Sequence, residues 1–285
     1  MSQELMMTEN LTSVARAEID CMIATAKAYP RNPNQCMEYA EMLATMDEET
    51  AQSCFYVLPR KDKDGVKVEI KGPSIRLAEI MMCAWTNMHV ATRIVGNDGQ
   101  SITAEAVAWD MQTNNKAVLQ NKVSIIFGQK GGKGGYVANA DMQTMLSNAA
   151  SAKALRNAIF KVIPKALVNR IYERAMVASV GDTKQASLIS KVREVFDKLA
   201  KMGIDKEMIL EYYERKTMND ITADDLRSLI GVGTAIKDKM ISVDEVFQAP
   251  KAESISASEH VTALLSEKAK PRLVNVADAQ TGELK

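Results

Sequence analysis

The sequence predicts an α+β fold: a curved antiparallel sheet in β-β-α-β-β-β-α order with a long basic helix, followed by a small C-terminal helical module. Three observations carry that expectation. Between Phe55 and Phe127 apolar residues recur with a period of two, interrupted by turn sequences rich in Gly, Asn and Asp. Before and after that stretch the apolar period is that of a helix. Within it, Ile102, Ala104, Ala106 and Ala108 point one way and are small, which suits a helix packed closely on that side.

The N-terminal stretch reads as two helices. Leu11, Val14, Ala15, Ile19, Met22, Ile23 and Ala26 place one over 9–29, stopped by Tyr29-Pro30-Arg31-Asn32-Pro33, and a second follows over 35–46. Asp47-Glu48-Glu49-Thr50 starts a short helical turn. These acidic helices are expected to pack on a sheet edge or on a neighbouring subunit. From Phe55 a hairpin follows, in which Phe55, Val57, Val66, Val68 and Ile70 alternate with Tyr56, Leu58, Lys67, Glu69 and Lys71 across the turn Lys61-Asp62-Lys63-Asp64-Gly65. That alternation assigns Lys67 and Lys71 to the face away from the apolar residues. Gly72-Pro73 ends the strand, Ser74 is the expected N-cap, and 75–85 forms a largely buried helix that includes Trp85. Strands are expected over 88–95, 101–110 and 116–127.

The loop Gly128-Gln129-Lys130-Gly131-Gly132-Lys133-Gly134-Gly135 has the lysines of a phosphate site without the P-loop spacing, because Lys133 stands where a glycine would be required. Its backbone amides and Lys130 and Lys133 could meet phosphates without fixed geometry. A long helix over 142–177, capped by Asp141 and bent or broken by Pro164 near Lys161, carries Lys153, Arg156, Lys161, Lys165, Arg170 and Arg174 against Glu173 alone. Val180-Gly181-Asp182 marks a change in composition. The chain is accordingly divided into N-terminal helices for packing or subunit contacts (1–54), a core (55–181), a helical partner-binding module (182–247) and a tail or tether without periodicity (248–285). Within the module, Leu229-Ile230-Gly231-Val232-Gly233-Thr234-Ala235 has the look of a helix-hairpin-helix phosphate clamp, but Asp220, Asp224, Asp225 and Asp238 around it argue against that role.

Charge is distributed unevenly. The 285 residues carry no net charge, yet 1–54 holds 3 basic and 9 acidic groups, 55–181 holds 17 and 9, and 182–285 holds 16 and 18. A basic middle between acidic flanks points to a polyanion for the middle and a protein partner for an end. Four cysteines without paired spacing and only two histidines favour neither a zinc site nor a disulfide framework, and they suit a reducing compartment. With no secretory pattern at Met1-Ser2-Gln3-Glu4 and no run of eighteen apolar residues, the expectation is a cytoplasmic location without a membrane span.

Catalytic equipment is sparse. Glu69-Ile70-Lys71 with Asp62 or Asp64 upstream has the residue types of a metal-dependent nuclease, but the aspartates fall in the hairpin turn instead of on a neighbouring strand. His89 has no nucleophile or carboxylate at a recognisable spacing. No metal, nucleotide or other cofactor is expected. A nucleic-acid reading is better supplied: the open sheet face offers Arg60, Lys67, Lys71, Arg93, Lys116 and Lys122, and the basic helix adjoins it through the glycine loop. With aromatics few in the region, Tyr56, Trp85, Trp109 and Tyr136 among them, backbone contacts should outweigh base stacking and binding should depend strongly on salt.

Four segments, Ala26-Lys27-Ala28-Tyr29-Pro30-Arg31, Gly72-Pro73-Ser74-Ile75-Arg76-Leu77-Ala78-Glu79, Asp110-Met111-Gln112-Thr113-Asn114 and Ala154-Leu155-Arg156-Asn157-Ala158-Ile159, resemble those of phage and prophage single-strand annealing proteins of the Red beta, RecT and Rad-fifty-two superfamily. The resemblance covers about residues 15–180, and Leu226-Arg227-x-Leu229 with Asp244-Glu245-Val246-Phe247 is similar to modules appended to such proteins. It implies ATP-independent annealing of complementary strands during phage-type recombination in a bacterial host, by a homo-oligomeric ring or helical filament. Single-stranded DNA would lie in a basic groove between the hairpin sheet and the long helix, on Arg60, Lys67, Lys71, Arg76, Arg93, Lys116, Lys122, Lys130, Lys133, Lys153, Arg156 and Lys161. Arg76 could equally be a structural ion-pair residue. Residues 182–247 would meet an exonuclease or the host single-strand-binding protein. The alternatives are a protein that protects single strands without pairing them, and a metal-dependent nuclease.

Overall fold

The computed structural model describes residues 3–61, 63–128, 135–181 and 185–247. Asp62, the glycine-loop residues Lys130 and Lys133, and the tail 248–285 lie outside the described residues. The fold is mixed α+β with antiparallel sheets. Three helices open the chain: α1 (Gln3–Ala28), α2 (Pro33–Ala44) and α3 (Glu48–Ser53). Asn32 caps α2 by accepting hydrogen bonds from the Asn34 and Gln35 amides, with Pro33 in the first turn. Asp47 caps α3 by accepting from the Thr50 amide at 2.7 Å.

The strands form three separate sheets instead of one curved sheet. β1 (Phe55–Lys61) and β2 (Lys67–Pro73) make a hairpin; β3 (Met88–Asn97), β4 (Ser101–Asp110) and β5 (Asn115–Ser124) form an antiparallel sheet in that order; β6 (Ile126–Gly128) and β7 (Gly135–Val137) flank the glycine loop. The strand expected over 116–127 thus stops at Ser124, and Phe127 belongs to the small hairpin. Between the first two sheets, α4 (Ile75–Trp85) begins where Ser74 accepts from the Arg76 and Leu77 amides, as its position after Gly-Pro predicts.

The long basic helix is two helices, α5 (Ala140–Val162) and α6 (Lys165–Ala178), because Pro164 has no amide to continue the ladder. Asn139, not Asp141, caps α5, accepting from the Met142 amide at 2.9 Å. Ala150, Ala154 and Ala158 of α5 pack on Ala104, Ala106 and Ala108 of β4, so small side chains on both partners let helix and sheet approach closely. Helices α2 and α4 complete this core with Met37, Ala40, Leu77 and Met81.

Helices α7 (Gln185–Ala200), α8 (Lys206–Tyr212), α9 (Ala223–Lys237) and α10 (Val243–Val246) share a core with the hairpin. Phe55 is buried among Val192, Phe196, Leu226 and Leu229, and Val57 among Val232, Ala235 and Val246. Residues 1–247 form one compact unit, with no break in packing at 181. Gly231 and Gly233 lie inside α9, so the phosphate-clamp appearance of that segment comes from close packing. A Cβ at Gly231 would stand 3.0 Å from the Val57 amide nitrogen, and one at Gly233 3.1 Å from a Leu199 methyl. Among the described residues no helix is long and apolar enough to cross a membrane.

The hairpin faces differ from the alternation expected of it. Lys61 pairs with Lys67 and Val57 with Lys71, so odd-numbered residues of both strands share a face. That face is the one that meets α9 through Phe55 and Val57; it also carries Glu69 and the still exposed Lys67 and Lys71, while Val68 and Ile70 on the other face are exposed by 44% and 49%. The parity of the intervening turn, not hydrophobicity, decides the outcome.

At the far end of the three-stranded sheet, Arg31 and Asp110 form a bidentate ion pair whose side chains are almost wholly buried. The guanidinium also lies 4.7 Å from the centre of the Trp85 ring. Asn87 donates to the Ala26 and Tyr29 carbonyls and to Gln112, whose side chain accepts from the Arg31 amide. Thr86 and Asn87 have φ of 56° and 50°, a left-handed turn that a β-branched residue rarely adopts and that these bonds hold in place.

Two outcomes follow from this packing. Gly231→Val should destabilise the protein by about 2–3 kcal/mol, since a Cβ there would clash with a Val57 methyl that has the Val57 amide nitrogen close behind it, and thermal denaturation should show a lowered midpoint. Burial raises the Asp110 pKa, but hydrogen bonds from Arg31 and Thr113 and the Arg31 charge outweigh it, leaving the carboxyl below its ordinary value. Its contribution is therefore complete above about pH 4 and is lost as pH falls through the lowered pKa. Asp110→Asn should cost about 3 kcal/mol at pH 7, and its thermal midpoint should fall less than the wild type's between neutral and acid pH.

Candidate nucleic-acid interface

The expected cations occupy three different surfaces. Strand alternation places Arg93, Lys116 and Lys122 on the face of the three-stranded sheet opposite α5. All three have partners there. Arg93 pairs with Glu105 at 2.9 Å, Lys122 with Asp98 at 3.0 Å, and the Lys116 ammonium sits 5.3 Å from the centre of the Trp109 ring. The carboxylates register these contacts: hydrogen bonds from the Gln100 amide and from Lys122 and Ser101 hold Asp98 well below the usual range, and those from Gln120 and Arg93 lower Glu105. This sheet face is closer to charge balance than the sequence suggests.

Lys67 and Lys71 lie on the hairpin face turned to the C-terminal helices. Lys67 donates to the Tyr212 carbonyl at 3.2 Å and lies over the Tyr212 ring. Lys71 pairs with Glu69 at 2.9 Å, and Glu69 also accepts from Ser228. The carboxylate that a nuclease reading would place on a metal is thus engaged by a lysine and a serine. Arg76 pairs with Glu79 at 2.8 Å at the start of α4. Arg170 and Arg174 of α6 pair with Glu41 of α2, so part of the stripe expected to lack acidic partners has one from another helix.

Arg60, Lys153 and Arg156 do come together. They line a cleft of about 230 Å³ between the hairpin and α5, whose floor includes Leu58, Val123 and Leu146. Lys239 joins them from the segment after α9, and among the described residues Asp238 is the one acidic residue in the lining. Burial raises the Asp238 pKa, partly offset by Arg76, Lys237 and Arg156. Arg156 is only 8% exposed; its guanidinium lies 5.0 Å from the centre of the Tyr56 ring and donates to the Asn157 side chain. Arg60 and Lys153 are exposed. Val68 and Ile70, the cross-strand neighbours of Arg60 and Leu58, continue the hairpin wall as an exposed apolar strip. Lys161, also exposed, is in the last turn of α5 and does not line the cleft.

Sequence reasoning did not place Lys239 or Asp238 in this cleft, since their presence there depends on α9 docking against β1. The available signal was Gly231 inside an apolar helical run, which permits that close approach to Val57. Among the described residues no group of three or more His, Cys, Asp or Glu side chains is placed to hold a metal ion. Comparisons with family models, with curated proteins and with solved structures found no match.

Proposed function

We propose that the protein binds single-stranded DNA along the hairpin–α5 cleft and anneals complementary strands without ATP, as a homo-oligomer acting in phage-type recombination. The observation that carries the binding step is the convergence of Arg60, Lys153, Arg156 and Lys239 on one cleft with a single opposing acid. Phosphates suit that wall, and the exposed Val68 and Ile70 offer apolar surface to unstacked bases. The pairing step rests on the resemblance of the Gly72–Glu79 and Ala154–Ile159 segments to annealing proteins. The first of these leads from hairpin to α4, and the second holds Arg156 in the cleft wall.

Assembly has its own support. From Ser13 to Ala28 only Ala26 of α1 is buried, while Val14, Ile19 and Met22 are exposed. Helices in proteins owe most of their stability to the packing of an apolar side, and a second copy of the chain would cover this one. In this reading the sides of α7 and α8 turned away from the hairpin are left for an exonuclease or single-strand-binding partner.

Mixing the protein with complementary oligonucleotides, with and without Mg²⁺ and ATP, tests the function. Accelerated duplex formation without nucleotide is expected. Strands bound but unpaired would leave only a protective role, and shortened strands would indicate a nuclease. Arg60→Glu combined with Lys153→Glu should weaken single-strand binding at least about tenfold at low salt and reduce the slope of log K against log salt by about 0.7 for each lost phosphate contact. Lys122→Ala, on the opposite face of the sheet, should change binding little. Removing residues 1–25 should lower the assembly state measured by light scattering while leaving the thermal midpoint within a few degrees of the full chain.

A further inference from the structure

The small β6–β7 hairpin stands at one end of the cleft. β5 contributes Val123 to the cleft lining and runs on through the buried Ile125 into β6, while Leu146 of α5 both lines the cleft and packs with Phe127 in the cluster around Ile102, Ile125 and Ala138. Phe127 pairs across the hairpin with Tyr136, and their rings stack with centroids 5.9 Å apart at an interplanar angle of 27°. Phe127 is half-buried and anchored, whereas Tyr136 is 48% exposed, flanked by the exposed Ile126 and Val137.

An exposed aromatic ring, held from behind by a second anchored ring, has a fixed orientation and loses little freedom when another flat group stacks on it. A purely structural hairpin of three residues per strand gains nothing from presenting its ring and its branched apolar side chains to water. The adjoining cleft is cationic, so the flat group delivered to it would arrive on a phosphate backbone.

We propose that Tyr136, supported by Phe127, is a nucleobase-stacking subsite for a single strand held in the cleft. This inference rests on the cleft binding single-stranded DNA. The ligand is any unpaired base, because every base has a π-face, and the subsite contributes affinity without sequence preference. It differs from the cleft cations in what it recognises: the base and not the phosphate.

The test uses the full chain and fluorescence anisotropy with two labelled probes of equal length, oligothymidylate and an abasic oligomer carrying the same phosphates. Tyr136→Ala should weaken oligothymidylate binding about tenfold and leave abasic binding unchanged, while Tyr136→Phe should bind both as the wild type does, since stacking needs the ring and not the hydroxyl. Equal loss on both probes, no loss on either, or a wild type that does not distinguish them would overturn the stacking subsite and leave the cleft assignment standing. A wild type that binds neither probe would overturn the cleft assignment and this inference with it.

Discussion

A guanidinium and a carboxylate taken out of water together fix the end of the three-stranded sheet. Removing both Arg31 and Asp110 from solvent is costly, and their mutual attraction repays that cost only with near-ideal geometry. The bidentate contact and the Trp85 ring supply it. What the pair contributes is position more than net stability: it ties the junction of α1 and α2 to the last residue of β4. Asn87 and Gln112 then lock the left-handed turn after α4 and the β4–β5 turn onto the same point. Three connections remote in sequence are thereby set relative to one another, and the buried faces of α2, α4 and α5 meet the sheet in one arrangement.

The hairpin carries the second constraint, since both of its faces are used. One face receives α9, whose Gly231 admits Val57, and it encloses Phe55 within the C-terminal core. The other presents Leu58 and Arg60 to the cleft. Residues 185–247 are therefore part of the cleft's architecture, both as the support behind its wall and as the source of Lys239. The pairing of Lys67 with Tyr212 and of Glu69 with Ser228 adds polar contacts to the same interface, which accounts for Lys67 on a face that the sequence leaves open.

The sequence discloses features that depend on near neighbours along the chain. Ser74 after Gly72-Pro73 defines the start of α4, the run of alanines in β4 announces a closely packed helix, and Pro164 divides α5 from α6. It conceals features that depend on register or docking. The orientation of β2 follows from turn parity, so Val68 and Ile70 look like core residues and are not. The neutralisation of Lys122 and Arg93 requires knowing that Asp98 and Glu105 lie beside them after folding. Of the expected cations, Arg60, Lys153 and Arg156 converge because α5 and the hairpin flank one space, a relation that no spacing within either segment contains.

Arg156 gives that space an uneven mechanical character. A free arginine surrenders considerable rotamer entropy when it grips a ligand, on the order of 2 kcal/mol, but the side chain here is already restrained between Tyr56 and the Asn157 amide oxygen. Arg60 and Lys153 are exposed and retain more of their freedom. The cleft thus combines one stationary charge with three exposed ones, Lys239 included, that can follow a moving chain, a post and three flexible guides. A polyanion bound there, as proposed, would have a fixed point of reference and an adaptable remainder, without every phosphate being locked in place.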